Sequence, residues 1–157
     1  MHLIDLPTTW RDRLGLPVWA LLALSLLAAP RVVLHDQGIG LDGTVAGLLA
    51  IGPAVVSIAV VVWSRARSPL LALLVVGLGH GVVLALVHNL FWDESFADAM
   101  PLLGGNLEGR LSDSAEEILL RGAMTLSSMF TGVAIGLLCG LVATVLRTLL
   151  DRHEHDR

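Results

Sequence analysis

Six side chains place polar or titratable groups in apolar surroundings: His80, His88, Asn89, Ser57, Ser128 and Thr131. Of these, His80 is the most suggestive. It sits near the middle of an apolar block from Pro69 to Trp92, and Gly79 and Gly81 flank it. An imidazole titrates near neutral pH, so a histidine at mid-membrane depth can relay protons or line an ion path. It can equally stay neutral and hydrogen-bonded to Ser57, Ser128, Thr131 or a freed backbone carbonyl. The expectation is a ring pointing into the protein, towards the second or fourth helix, with those hydroxyls beside it. His88 lies two turns further along the same face. With His35, and with Asp36, Asp93 and Glu94 near by in sequence, it makes a candidate set for a divalent metal at one rim, because imidazole and carboxylate are common ligands. None of these has the tight spacing of a metal motif, so neither metal nor cofactor is expected. Bis-histidine haem ligation needs histidines on facing helices. The second and fourth apolar blocks contain none.

A second polar cluster is Glu116-Glu117-Ile118-Leu119-Leu120-Arg121-Gly122. Ser114 and Glu117 have the spacing of a helix capping box, and Glu117 and Arg121 that of an i, i+4 ion pair. The same seven residues resemble the EExxxR motif of the CAAX-protease and bacteriocin-processing intramembrane proteases. The resemblance implies paired glutamates that activate water beside histidines on later helices. Here His80 and His88 precede the motif, and the next histidine is His153 in the tail. HExxH, G-x-S-x-G, Walker and CxxC signatures are absent, as is any basic patch with interleaved aromatics for nucleic acid. No catalytic residue is assigned on this reading.

The elements that must hold these groups are membrane helices. The chain has 157 residues, is 55% hydrophobic with a mean hydropathy of +0.77, and carries only 15% charged residues. The apolar residues gather in four blocks, each near the ~20 residues a bilayer crossing needs: about 16–34, 41–63, 69–92 and 123–146. The fold class expected is an all-α integral membrane protein, one domain over 1–157. Its four transmembrane helices form an up-down bundle with a partly helical extracytoplasmic loop, 93–113, between helices 3 and 4. A tail, 147–157, follows. Met1 to Gly15 reads as an amphipathic interfacial lead with Trp10 at headgroup level. A cleaved signal peptide is disfavoured: no A-x-A site follows, and the apolar run exceeds the usual ~7–15 residues. Cys139 is the only cysteine, so no intrachain disulfide can form.

Arginine sets the expected orientation. Arg11, Arg13, Arg65, Arg67, Arg147 and Arg152 fall on one side of the four blocks. The acidic loop falls on the other, with Arg31, Arg110 and Arg121. The positive-inside rule then puts both termini in the cytoplasm, with the protein in the plasma membrane.

Small residues mark the expected helix contacts. Ser128, Gly132, Gly136, Gly140 and Thr144 repeat every four positions. So do Gly77, Gly81, Ala85 and Asn89. A third stripe, Gly43, Gly47, Ala50, Ala54 and Ser57, alternates steps of four and three. Such faces let membrane helices approach closely, the glycine-zipper mode of packing. Pro53 should kink the second helix. Three stripes exceed what a four-helix monomer needs, so a homo-oligomer or a contact with another membrane protein is expected, besides the lipid bilayer. Two functions remain open: a non-enzymatic scaffold or accessory subunit of a membrane assembly, and a small transporter or channel with His80 lining the pathway. The absence of an internal repeat favours the first.

Overall fold

The computed structural model describes residues 14–64, 66–96 and 101–155. The amphipathic lead up to residue 13, Arg65 in the tight loop and Met100 in the long connection lie outside them. Among the described residues there are helices and connections but no strand. In chain order they are α1 (Val18–Leu26), α2 (Ala29–Asp36), α3 (Gly43–Trp63), α4 (Pro69–Leu90), the one-turn α5 (Trp92–Ser95), a 3-10 turn (Gly105–Leu107) and α6 (Asp113–His155). Four stretches are long and apolar enough to cross a membrane: Val18–Asp36, α3, α4 and α6.

The first block, expected as a single helix, is divided between α1 and α2. Leu27 closes α1 with a tightened bond from its N–H to the Leu24 carbonyl, 3.3 Å. Pro30 stands in the first turn of α2. Proline has no N–H to give the preceding turn and biases the residue before it away from helix, so the helix restarts instead of continuing. The turn after α2 passes through Gly38, whose φ of 67° suits glycine. There the N–H groups of Gly38 and Ile39 return to the carbonyls of His35 and Leu34, both at 3.0 Å.

Caps fix the starts of the next two helices. Thr44 and Val45 donate their N–H groups to the Asp42 carboxylate at 2.6 and 3.3 Å. Leu71 donates to Ser68 Oγ at 3.4 Å, with Pro69 in the first turn of α4. α3 runs unbroken through Pro53. The expected capping box on the last helix does not form. α6 begins at Asp113, so Ser114 lies inside its first turn, and the Glu117 carboxylate turns to Arg121 instead. At 43 residues α6 is about 65 Å long, roughly twice a bilayer's hydrocarbon thickness.

The core is the contact of α4 with α6. Gly77, Gly81 and Ala85 of α4 and Ser128, Gly132, Gly136 and Gly140 of α6 are buried. Backbone meets backbone there. A Cβ on Gly136 would stand 2.6 Å from the Leu73 carbonyl oxygen and 3.0 Å from Gly77 Cα. One on Gly132 would meet Gly81 Cα at 2.6 Å, and one on Gly140 would meet Leu70 Cα at 3.0 Å. Ala143, fully buried, carries this face onward; Thr144 is exposed and bonds back to the Gly140 carbonyl at 2.8 Å.

α1 crosses α4 on another side. Ser25, buried, donates its hydroxyl within range of the Leu21 and Val76 carbonyls, at 2.9 and 3.1 Å. Gly79 makes the room: a Cβ there would collide with the Ser25 hydroxyl. α3 is the least buried of the four long stretches. Its buried residues, Ser57 and Val61, lie in its second half. That end is tied down by Arg147, which donates from Nη1 to the Val62 carbonyl at 2.9 Å and pairs with Asp151 at 3.4 Å. Its first half is open, with nothing within 4 Å of a Cβ at Gly43, Gly47 or Gly52.

Candidate functional site

Polar side chains concentrate where α2 and α4 end and α6 begins. Asp36, the last residue of α2, is the centre, with its side chain only 2% exposed. A buried carboxylate must be paired or hydrogen-bonded. Both of its oxygens are engaged: Oδ2 receives His88 Nδ1 at 2.6 Å and Oδ1 receives His35 Nδ1 at 3.2 Å. Its backbone carbonyl accepts from Ser95 Oγ at 3.4 Å. These bonds require the Nδ1–H form of each ring, which leaves Nε2 of His88 directed elsewhere. The two histidines are not equivalent. The His88 side chain is 26% exposed and that of His35 is 76% exposed. The His88 bond therefore works in the drier setting.

One turn away a second network holds α4 to α6. Asn89 Nδ2 donates to the Ala85 carbonyl at 2.8 Å and to Thr125 Oγ1 at 3.1 Å. Thr125 donates back to the Arg121 carbonyl at 2.9 Å. Arg121 joins three groups: Nε to Glu117 at 2.8 Å, Nη1 to the Asn89 carbonyl at 3.0 Å, and its plane over the Trp92 ring at 4.7 Å. The Asn89 carbonyl is one of those a helix end leaves without an internal partner, so this bond caps α4. Trp92 is 1% exposed, packed on Phe96 with ring centroids 4.7 Å apart. Its indole Nε1 is buried without a hydrogen-bond partner, a state that costs about 1–3 kcal/mol.

The expected site residues divide into three places. His88, Ser128 and Thr131 border one groove of about 420 Å³ between α4 and α6, joined by Ser127. Asn89 belongs to the Thr125 network. His80 and Ser57 share a small cavity of about 40 Å³ with Pro53, Ile135 and Cys139. Ser128 and Thr131, expected beside His80, are thus beside His88 instead. Gly79, the residue before His80, packs against Ser25 of α1, a helix the sequence did not single out.

The metal candidates also rearrange. His35 and His88 come together, but on Asp36; Asp93 is exposed on the one-turn α5. Among the described residues no group of three or more His, Cys, Asp and Glu is arranged to hold a metal ion. Of the EExxxR residues, Glu117 is engaged by Arg121, and Glu116 Oε1 accepts the Leu103 N–H at 2.5 Å. The cavity beside them, about 240 Å³, is walled by Trp92, Leu102, Asp113, Glu116, Glu117 and Leu120, with no histidine in its lining. Ser25 and Trp92 were not read as polar-centre residues; Asp36 was read only as one of several carboxylates near His35 and His88. Asp36 offered the one available signal, a carboxylate closing an apolar block. No protein family, curated protein or solved structure matches the chain.

Proposed function

We propose that the chain is a small, non-enzymatic membrane protein, a scaffold or accessory subunit, that meets a second copy of itself through α3. On this reading the four apolar stretches form an up-down bundle in the plasma membrane. Both termini face the cytoplasm, as the arginine distribution requires, and the 93–113 connection lies outside. The observation that carries the reading is the open first half of α3. Within the chain, the Gly77/Gly81 pair of α4 is matched by Gly132/Gly136 of α6. The Gly43/Gly47 pair has the same four-residue step and no partner within 4 Å. Leu48 and Ile51 beside it are 68% and 64% exposed. A two-fold-related copy supplies an identical face, so one glycine pair can satisfy itself. The polar groups support this choice: Asp36 and His88 hold two helices together, Glu117 pairs with Arg121 within α6, and Glu116 accepts from Leu103 of the connection.

The second reading, a small transporter or channel with His80 on its pathway, is supported by the cavity that His80 shares with Ser57. At about 40 Å³ it has room for a water or two. Passage of a solute would therefore require α3 to move away from α6, with Pro53 the natural hinge.

Oxidative cross-linking in native membranes tests the first reading. In a Cys139→Ser background, Gly47→Cys is expected to give a disulfide-linked dimer, because close glycine faces bring Cα atoms within the ~4.4–6.8 Å that a disulfide spans. Leu126→Cys, on the exposed side of α6, is expected to stay monomeric. Equal yields from the two sites, or no dimer from Gly47→Cys, would exclude the α3 interface.

A further inference from the structure

We infer that the groove between α4 and α6 bordered by His88, Ser127, Ser128 and Thr131 binds a neutral lipid with a free hydroxyl, of the 1,2-diacylglycerol class. The hydroxyls of α6 fall into two groups. Thr125, Thr144 and Thr148 each donate to the carbonyl four residues back, at 2.9, 2.8 and 3.0 Å. A helical hydroxyl needs no outside partner in that arrangement. Ser127, Ser128 and Thr131 make no hydrogen bond among the described residues, and all three border this one groove, of about 420 Å³. Ser128 is only 5% exposed, yet its Oγ is reached from outside: among the described residues the fully enclosed polar side-chain atom without a partner is Trp92 Nε1. The same holds for His88 Nε2. Asp36 takes the Nδ1–H at 2.6 Å, which leaves Nε2 a bare acceptor, unpartnered among the described residues and accessible. The carboxylate fixes the tautomer and the ring, as it does for histidines that hold a ligand.

Depth and charge narrow the occupant. The Asn89–Thr125 bond sets the level of the rim, one residue before α4 ends at Leu90. Thr131 lies six residues further along α6, about 9 Å inward. With α4 and α6 spanning the bilayer, the groove sits at the boundary of headgroups and acyl chains, where unsatisfied polar groups are costly. No Asp, Glu, Lys or Arg borders it, so a phosphate or an ammonium would enter without a counter-charge. His88 Nε2 needs a donor, and the serine and threonine hydroxyls need acceptors. A lipid hydroxyl donates to the one and accepts from Ser128; two ester carbonyls a few atoms away accept from Ser127 and Thr131. A diacylglycerol carries this set. Phosphatidylcholine has the carbonyls and no donor, and a prenol has the hydroxyl and no carbonyl. Leu84, Ala123 and Met124 complete the lining with apolar contact for the chains. The site includes no residue of α3, so it stands or falls apart from the pairing proposed there.

The test uses the full chain in phosphatidylcholine nanodiscs, with 1,2-dioleoylglycerol, its 3-O-methyl ether and farnesol as probes and retained lipid counted by native mass spectrometry. Dioleoylglycerol should be retained about tenfold over the ether, which keeps the carbonyls and lacks the donor, and over farnesol. Thr131→Val, an isosteric change at an exposed position, and Ser128→Ala should each reduce that preference, and the two together should abolish most of it. A second arm needs no variant that must bind: the ¹⁵N resonance of His88 Nε2, assigned by its loss in His88→Gln, is followed as each probe is added to the wild-type chain. It should shift saturably with dioleoylglycerol and stay in place with the ether. Equal retention of dioleoylglycerol and its ether overturns the inference, as does an Nε2 resonance that dioleoylglycerol leaves unmoved. Farnesol retained as well as dioleoylglycerol overturns the assignment to a diacylglycerol.

Discussion

Gly136→Leu is expected to force α4 and α6 apart, at a cost of about 3 kcal/mol or more in detergent, the upper end of overpacking effects. The reason is what the new side chain would meet. Even its Cβ would stand 2.6 Å from a backbone oxygen and 3.0 Å from Gly77 Cα. Backbone cannot swing aside as the tip of a side chain can, so relief requires moving a whole helix. The close approach over Gly77, Gly81, Gly132 and Gly140 would be lost with it. Leu138→Ala is the control. Leu138 is 63% exposed, and its truncation should alter stability by only about 0.5 kcal/mol. Reversible unfolding of the two variants in mixed micelles checks the difference. Similar losses in both would show that the α4–α6 contact is not held by glycine.

The second large effect is expected at Asp36. Asp36→Leu removes both acceptors from the two imidazoles and should cost about 1–3 kcal/mol, mainly by leaving the half-buried His88 Nδ1–H without a partner. His35 can turn to water, since its side chain is 76% exposed. His35→Ala should therefore cost little, and His88→Ala should cost most of what Asp36→Leu costs. The Asp36→Leu/His88→Ala double variant should fall short of additivity by about 0.5–3 kcal/mol, as directly bonded pairs do. Hydrogen exchange should rise at the end of α2, which this bond holds to α4 across 52 residues of sequence. Equal costs for His35→Ala and His88→Ala would contradict the geometry.

Much of the helix inventory was legible because it depends on local composition. Apolar runs of the right length mark four stretches, and the four-residue repeat of small side chains marks the faces of α4 and α6. The Glu117–Arg121 pair is local too, and forms at 2.8 Å. What escaped was either a restart or a long-range pairing. The division of the first block at Leu27 needed weight on Pro30, which alone removes a backbone donor near the end of an otherwise uniform apolar run. Ser114 was read as a cap because its spacing to Glu117 fits, but Glu117 has a competing partner one turn on and takes it. Asp36 could be put near His35 and His88 by depth, but nothing local says that it, and not Asp93 or Glu94, is the buried acceptor of both rings. His80 was placed by depth alone. Depth fixes the level of a side chain but not its azimuth, and His80 lines the cavity with Ser57, Ile135 and Cys139, not the groove with Ser128 and Thr131. Trp92 was read only as the end of the third apolar block. Its burial under Arg121 follows from the turn after α4, which no periodicity encodes.

The central claim is that the open glycine face of α3 joins two copies of this chain. Its most direct test is subunit counting by single-molecule photobleaching in liposomes, at protein densities low enough to make chance co-residence rare. The wild-type chain should bleach predominantly in two steps. Gly47→Leu should bleach in one, and its unfolding in micelles should match wild type, because beyond the surrounding backbone of α3 a Cβ at Gly47 meets nothing within 4 Å. Predominantly single-step bleaching of the wild type, or two-step bleaching that persists in Gly47→Leu, would contradict it.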